Sequence, residues 1–182
     1  MSSREHDVTP RVFDGLFHGE WAALREVLKA ELCAAGYDAA TPRPGWPVGV
    51  WRAVLDVVRR HALADLPEAD GLRELGRRFA KGFGQTPVGW VFTAVAPLIG
   101  PERALFAVPR YLHTARKHMK VTVDVLGEGH ARLTALDDEW PRAEPPDFLA
   151  GCIEAVLLAA GVAPRVAVST FTGGRLELDV RW

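Results

Sequence analysis

Up to about Ala115 the chain is patterned for helices, and from Met119 onward it is patterned mainly for strands. Val12, Phe13, Leu16 and Phe17 form a short apolar patch. Trp21, Leu24, Val27, Leu28 and Leu32 then recur at helical spacing, which predicts a helix from Glu20 to Ala35 stopped by Gly36. The Pro- and Gly-rich stretch from Ala40 to Pro47 reads as a loop. Pro47 opens the next helix, because its missing N–H costs nothing in the first turn. Trp51, Val54, Leu55 and Val58 share one face of that helix, and Arg52, Asp56, Arg59 and Arg60 face away. Pro67 opens a third helix, striped by Leu72, Leu75, Phe79 and Phe83 and weakened at its end by Gly82 and Gly84. A fourth follows Pro87, from Val88 to about Leu98, and is ended by Gly100-Pro101. A fifth runs from Glu102 to about Ala115, with a bend expected at Pro109.

At Met119 the period shortens. Val121, Val123 and Val125 alternate with Thr122 and Asp124, which is strand spacing. Gly127-Glu128-Gly129 turns into a second strand through Ala131, Leu133 and Ala135. An acidic, Pro-rich loop from Asp137 to Pro146 leads to Asp147, read as the cap of a helix from Phe148 to about Ala160 that Gly161 ends. Val166 and Val168 begin a third strand. Thr172-Gly173-Gly174 turns into a fourth, with Leu176, Leu178 and Val180 on one face and Glu177, Asp179 and Arg181 on the other. This order predicts an α+β fold: N-terminal helices followed by β-β-α-β-β, with a four-stranded antiparallel sheet and helices on its apolar face. Residues 1–10 are polar and expected to be a flexible N-terminus. Residues 11–182 are read as a single α+β domain, since no repeat or long linker divides them.

Composition narrows this picture. The 182 residues are 48% hydrophobic and 25% charged, as in a globular chain able to bury a core. A net charge of -1 provides no general pull on nucleic acid, so none is expected as a partner. The first residues lack the apolar stretch of a secretory signal. The apolar run from Val88 to Ile99 is broken by Pro97 and is shorter than the ~18 residues a membrane span needs. A cytoplasmic location without membrane insertion is therefore expected. Cys33 and Cys152 lie in apolar helical patterns and read as buried free thiols.

The chemistry legible in the chain concerns anions. Arg110, His113, Arg116, Lys117, His118 and Lys120 place six basic or titratable side chains close together. A solvated helix C-terminus collects such residues on its own account. The functional alternative is a site for a phosphorylated small molecule, a nucleotide or an acidic patch on a partner, to which Arg77 and Arg78 would contribute. The segment Lys81-Gly82-Phe83-Gly84-Gln85-Thr86 lacks the Gly-Lys-Ser/Thr core of a phosphate loop, but Gln85 and Thr86 precede a helix whose free N–H groups can hold an anion. The candidate ligand-binding residues are thus Arg77, Arg78, Gln85, Thr86, Arg110, His113 and Arg116. No GxSxG, HExxH or Cys/His spacing is present, so no catalytic residue, metal or cofactor is assigned. Asp137-Asp138-Glu139 reads as a solvated acidic loop. Trp46, Trp51, Trp90 and Phe92 read as core or, if exposed, as an interface or pocket wall.

Several segments together resemble a known family. They are Val12-Phe13-Asp14-Gly15-Leu16-Phe17, Leu75-Gly76-Arg77-Arg78-Phe79, Gly84-Gln85-Thr86-Pro87-Val88-Gly89, Ile99-Gly100-Pro101-Glu102-Arg103, Phe148-Leu149-Ala150-Gly151 and the closing Arg181-Trp182. Their order and spacing resemble the domain of unknown function 2378, a family found mostly in Myxococcales. The chain departs from that pattern between Tyr111 and Lys120, where family members tend to carry small polar residues. The family in turn is similar to the ligand-binding fold shared by haem nitric-oxide-binding domains, vinyl-reductase-type domains and TRAPP vesicle-tethering subunits. The resemblance implies a non-enzymatic regulatory or interaction domain of the signalling kind. It would be a homodimer, or bind a protein partner, and hold a small anionic or hydrophobic ligand between helices and sheet. Two alternatives remain beside it. One is an enzyme acting on an anionic small molecule through His113 and the arginines. The other is a haem or tetrapyrrole sensor, for which Tyr111, His113 and Arg116 loosely echo the Tyr-x-Ser-x-Arg pattern of haem nitric-oxide-binding domains.

Overall fold

The computed structural model describes residues 7–41, 43–116, 118–137 and 144–182. A two-residue strand β1 (Asp7–Val8) pairs antiparallel with β2 (Trp46–Pro47). Val8 is fully buried, so chain packing begins before residue 11, and the expected flexible N-terminus does not extend through Val8. Residues 1–6 lie outside the described residues. Pro10 starts α1 (Pro10–Leu16) in the first-turn position where its missing N–H is harmless.

The single helix expected from Glu20 to Ala35 is instead three pieces. They are a 3-10 turn at Gly19–Trp21, α2 (Ala22–Val27) and α3 (Lys29–Ala34), with Leu28 between the last two at φ −94° and ψ 8°. The break keeps Trp21, Leu28 and Leu32 buried and turns Val27 to solvent. It also leaves Cys33 exposed, which corrects the reading of both cysteines as buried, whereas Cys152 is buried as expected. Helices α4 (Val48–Ala62) and α5 (Glu68–Gly84) follow their predicted stripes, with Trp51, Val54, Leu55 and Val58 buried on α4 and Leu72 and Leu75 on α5. An aromatic core ties this half together. Phe13 stacks on Tyr37 with ring centroids 4.4 Å apart and meets the edge of Trp51 at 5.2 Å. Such pairs add roughly 0.5–1.5 kcal/mol beyond burial.

Helix α6 (Pro87–Ala115) contains one non-helical residue, Gly100, at φ 79° and ψ 169°. This is the joint that Gly100-Pro101 predicts between two helices, and only glycine adopts such backbone cheaply. Pro109 lies inside the second half without taking the backbone out of helical geometry. By length and composition the segment Gly89–Ala115 is long and apolar enough to cross a membrane, longer than the run read from the sequence because helical geometry resumes after Gly100.

The sheet is as predicted: β3 (Lys120–Gly127), β4 (His130–Leu136), β5 (Arg165–Thr172) and β6 (Arg175–Arg181), antiparallel in the order β3-β4-β6-β5. Ala131, Leu133 and Ala135 on β4 lie opposite Val180, Leu178 and Leu176 on β6, and all six are buried. Helix α7 (Pro146–Ala159) crosses α5 at very short range. A Cβ on Gly76 would fall 2.0 Å from the Phe148 carbonyl oxygen, and one on Gly151 would fall 1.9 Å from that of Arg73. Only hydrogen side chains let the two backbones touch there. The cap of α7 is Pro145 rather than Asp147. Asp147 sits in the first turn, where its carboxylate accepts from Arg73 Nη2 at 3.0 Å.

Candidate functional site

Helices α5, α6 and α7 enclose a cavity of about 380 Å³, within the size range of small-molecule sites. Its wall is dominated by hydrocarbon from Phe79, Phe83, Phe92, Leu149 and Ile153. The helical stripe explains this: Phe79 and Phe83 continue the face of Leu72 and Leu75 beyond the point where the aromatic core fills space. Trp90, Tyr111 and Cys152 also line it. The cavity lies among helices, not between helices and sheet as the resemblance implied. Burial pushes the Cys152 thiol well up, with the Glu144 carboxylate adding to the effect. The neutral thiol contacts the Gly76 carbonyl oxygen, with Sγ at 3.4 Å. Phe92 lies against Tyr111 at 4.7 Å between centroids, pinning the first half of α6 to the second. That first half is otherwise thinly packed: Trp90, Val91, Val95 and Leu98 form an exposed apolar stripe, Leu98 at 83%. Trp46 and Trp51 are core as expected, and Trp90 is not.

A second, polar cleft of about 500 Å³ lies on the other side of the end of α5. Arg77, Arg78, Lys81 and Glu74 face His18 and Trp21 across it. The two cavities share Lys81, Gln85 and Ala155 as a common wall. Arg78 donates from Nε to Glu74 Oε1 at 2.7 Å and places its guanidinium 5.4 Å from the Trp21 ring centroid. Arg77 donates to Glu74 Oε2 at 2.9 Å and to Glu154 Oε2 at 2.7 Å. Arg73 completes the network, donating to Glu154 Oε1 at 3.0 Å and to the Val166 carbonyl at 2.9 Å. Burial alone would raise the Glu74 carboxyl, but the hydrogen bonds from Arg78 and Arg77 outweigh it and hold the group below the usual carboxylate range.

The seven sequence-selected residues therefore divide. Arg77, Arg78 and Gln85 meet at the polar cleft. Thr86 is beside it in the chain, but its hydroxyl caps its own helix, accepting from Gly89 N at 3.2 Å. Arg110 and His113 are exposed on α6, away from the cleft, and Lys117 lies outside the described residues. Arg116 is buried. It donates from Nη1 to Glu144 Oε2 at 2.6 Å and from Nη2 to Asp137 Oδ2. Asp137 is thus a buried partner rather than part of a solvated loop, while Asp138 and Glu139 lie outside the described residues. Among its described residues, the helix-end run is not assembled into one site. His18 and Trp21 went unselected because about sixty residues separate them from Arg78, and neither forms a motif with it. Among the described residues, no three His, Cys, Asp or Glu side chains come together as a metal site.

The whole architecture is shared with solved structures. An unliganded Fe(II) H-NOX protein mutant from K. algicida aligns at 10% identity over 94% of both chains, with a TM-score of 0.64. An H-NOX protein from S. oneidensis in the Fe(II)NO state aligns at 13% identity over 95% of this chain and 98% of that one, with a TM-score of 0.62. An oxygen-binding H-NOX domain related to soluble guanylate cyclases aligns at 13% identity over 94% and 90%, with a TM-score of 0.64. The fold is therefore H-NOX-like α+β. No curated protein matches the sequence. A model of the family described as "protein of unknown function (DUF2378)" matches residues 7–182.

Proposed function

The chain belongs to the DUF2378 family of unknown function, and from that premise we propose that it is a non-enzymatic, ligand-binding regulatory domain whose ligand is an apolar small molecule held among α5, α6 and α7. One observation carries this reading: a preformed cavity of about 380 Å³ walled by aromatic and aliphatic side chains, in a fold whose solved neighbours are H-NOX domains.

Haem is the group that this fold brings to mind, and the residues present do not fit it. Among the described residues, the cavity wall carries no histidine. The donor atoms it carries that resemble axial ligands are the Tyr111 hydroxyl and the Cys152 thiol, and burial keeps that thiol protonated, whereas iron takes a thiolate. Arg116, the cation of the loose Tyr-x-Ser-x-Arg echo, is consumed by Asp137 and Glu144. The cavity matches a ligand recognised by shape and apolar contact, with few polar anchors.

Native mass spectrometry of the purified full chain beside its denatured mass tests the proposal. The expected result is an apolar adduct in the wild type that Ala159→Phe, which fills the cavity wall, abolishes. A haem mass retained by the wild type, or an adduct indifferent to Ala159→Phe, would overturn it. The homodimer and the cytoplasmic location expected from the sequence belong to the same proposal. The stripe of Trp90, Val91, Val95 and Leu98 is the apolar face that a second copy would cover, and sedimentation of the wild type beside Leu98→Glu tests that point.

A further inference from the structure

The first half of α6 has two faces with different neighbours. Its inner side walls the apolar cavity with Gly89, Trp90, Phe92 and Thr93. Its outer side is the exposed stripe of Trp90, Val91, Val95 and Leu98. Trp90 belongs to both, lining the cavity while 64% exposed. We propose that filling the cavity and pairing with a second copy of this chain are linked, a filled cavity tightening the pair through this half-helix. The inference rests on the ligand reading above and deepens it by naming how occupancy is passed out of the cavity.

The half-helix is held from within at separate points. Gly89 meets the Phe83 carbonyl, where a Cβ would fall 2.0 Å from the oxygen. Phe92 lies against Tyr111, and Ala96 is buried with Ala104 and Ala160. Gly100, at φ 79° and ψ 169°, interrupts helical geometry at the far end, so the second half of α6 does not hold the first in line. Empty space under the wall leaves its inner side short of packing partners, and an apolar molecule in the cavity supplies them. A half-helix fixed in this way loses less freedom when a second copy seats on it, so ligand and pairing favour each other.

The stripe suits a second copy. From Thr86 to Pro101 the chain carries no charge. A two-fold pairing sets a patch against itself, and a charge near the axis would meet its like. This patch brings none. A lipid surface is a poorer occupant. The exposed charges that follow the stripe, Glu102 and Arg103, are opposite in sign and do not form the cationic flank that holds a helix on anionic lipid. In the pair, the partner covers the outer side of Trp90, so each cavity wall is backed by the other copy.

Linkage is tested by measuring it in both directions on the full chain. Sedimentation equilibrium gives the dimer dissociation constant with and without 1-dodecanol. Calorimetry gives the dodecanol affinity of the wild type and of Leu98→Glu. Leu98 lies outside the cavity wall, so its substitution removes pairing without removing a ligand contact. Dodecanol is expected to lower the wild-type dimer dissociation constant about tenfold, and to bind Leu98→Glu about tenfold more weakly than the wild-type dimer. Pairing indifferent to dodecanol, with equal dodecanol affinity in both proteins, would overturn the linkage and leave the cavity standing. A wild type that binds dodecanol but stays monomeric would overturn it too. So would attachment of the wild type to phosphatidylglycerol-containing vesicles that Leu98→Glu loses, which would make lipid the occupant. A wild type that binds no dodecanol would remove the cavity reading and this inference together. If Leu98→Glu fails to fold, the shift of the wild-type dimer constant decides.

Discussion

Two arginine clusters in this molecule make opposite use of the same side chain. Arg116 sits where α6 ends, buried with both of its acids, and joins that end to the residues after β4 and before α7. Arg77 and Arg78 lie half-exposed on α5, tied to Glu74 and Glu154 but still lining a cleft. The first cluster is buried and closes on itself. The second is also tied to its acids, yet its side chains stay partly exposed along the cleft. Density of basic residues along the chain points to the first; the disposition of acids in space picks out the second.

The contrast can be broken most severely at Arg116. Arg116→Ala removes the guanidinium that the buried Asp137 and Glu144 carboxylates share, and should cost about 3–5 kcal/mol, read as a lower urea midpoint. Replacing Arg116, Asp137 and Glu144 together by apolar residues of similar volume should recover most of that loss, because the desolvation cost disappears with the charges. Glu154→Gln weakens the bonds to Arg73 and Arg77 without leaving a bare charge, and should cost about 1.5–3 kcal/mol in the same measurement. Arg78→Gln should cost less than about 1 kcal/mol, since its pair with Glu74 is partly exposed. The smallest effect is a pH dependence. The depressed Glu74 carboxyl releases its proton more readily in the folded state than in the unfolded chain. Its contribution is complete above the unfolded value of about 4.3 and is lost as pH falls through the lower folded one. The melting-temperature gap between wild type and Glu74→Gln should therefore close on acidification below that value, as differential scanning calorimetry would show.

What the sequence revealed follows from what is local. The four strands were legible because Leu176, Leu178 and Val180 alternate within a few residues and Gly-rich turns separate the runs. The helix starts at Pro47, Pro67 and Pro87 were legible for the same reason, whereas α1 at Pro10 was read only as an apolar patch. The β1–β2 pairing was not, since two-residue strands almost forty residues apart leave no periodicity. The break at Leu28 was hidden because the stripe around it reads equally well as one helix, and only burial of Leu28 and Leu32 against Val27 in solvent shows the turn. At the site, Arg77, Arg78 and Gln85 could be selected from composition and position. Their grouping with Trp21 and His18, and the withdrawal of Arg116 into an ion pair with Glu144, depend on contacts between distant segments. The cavity itself was present in the sequence as Phe79, Phe83 and Phe92, but a stripe of aromatics looks the same whether neighbours fill the space in front of it or leave it open.

The two cysteines give the cavity its own clock. Cys33 faces solvent and Cys152 stands in the cavity wall. An alkylating reagent should therefore modify the protein in two kinetic phases, a fast one at Cys33 and a slow one at Cys152, whose thiol is buried and held protonated. A ligand that occupies the cavity would slow the second phase and leave the first untouched, so that one mass spectrum per time point reads occupancy, with the reference thiol supplied by the same molecule.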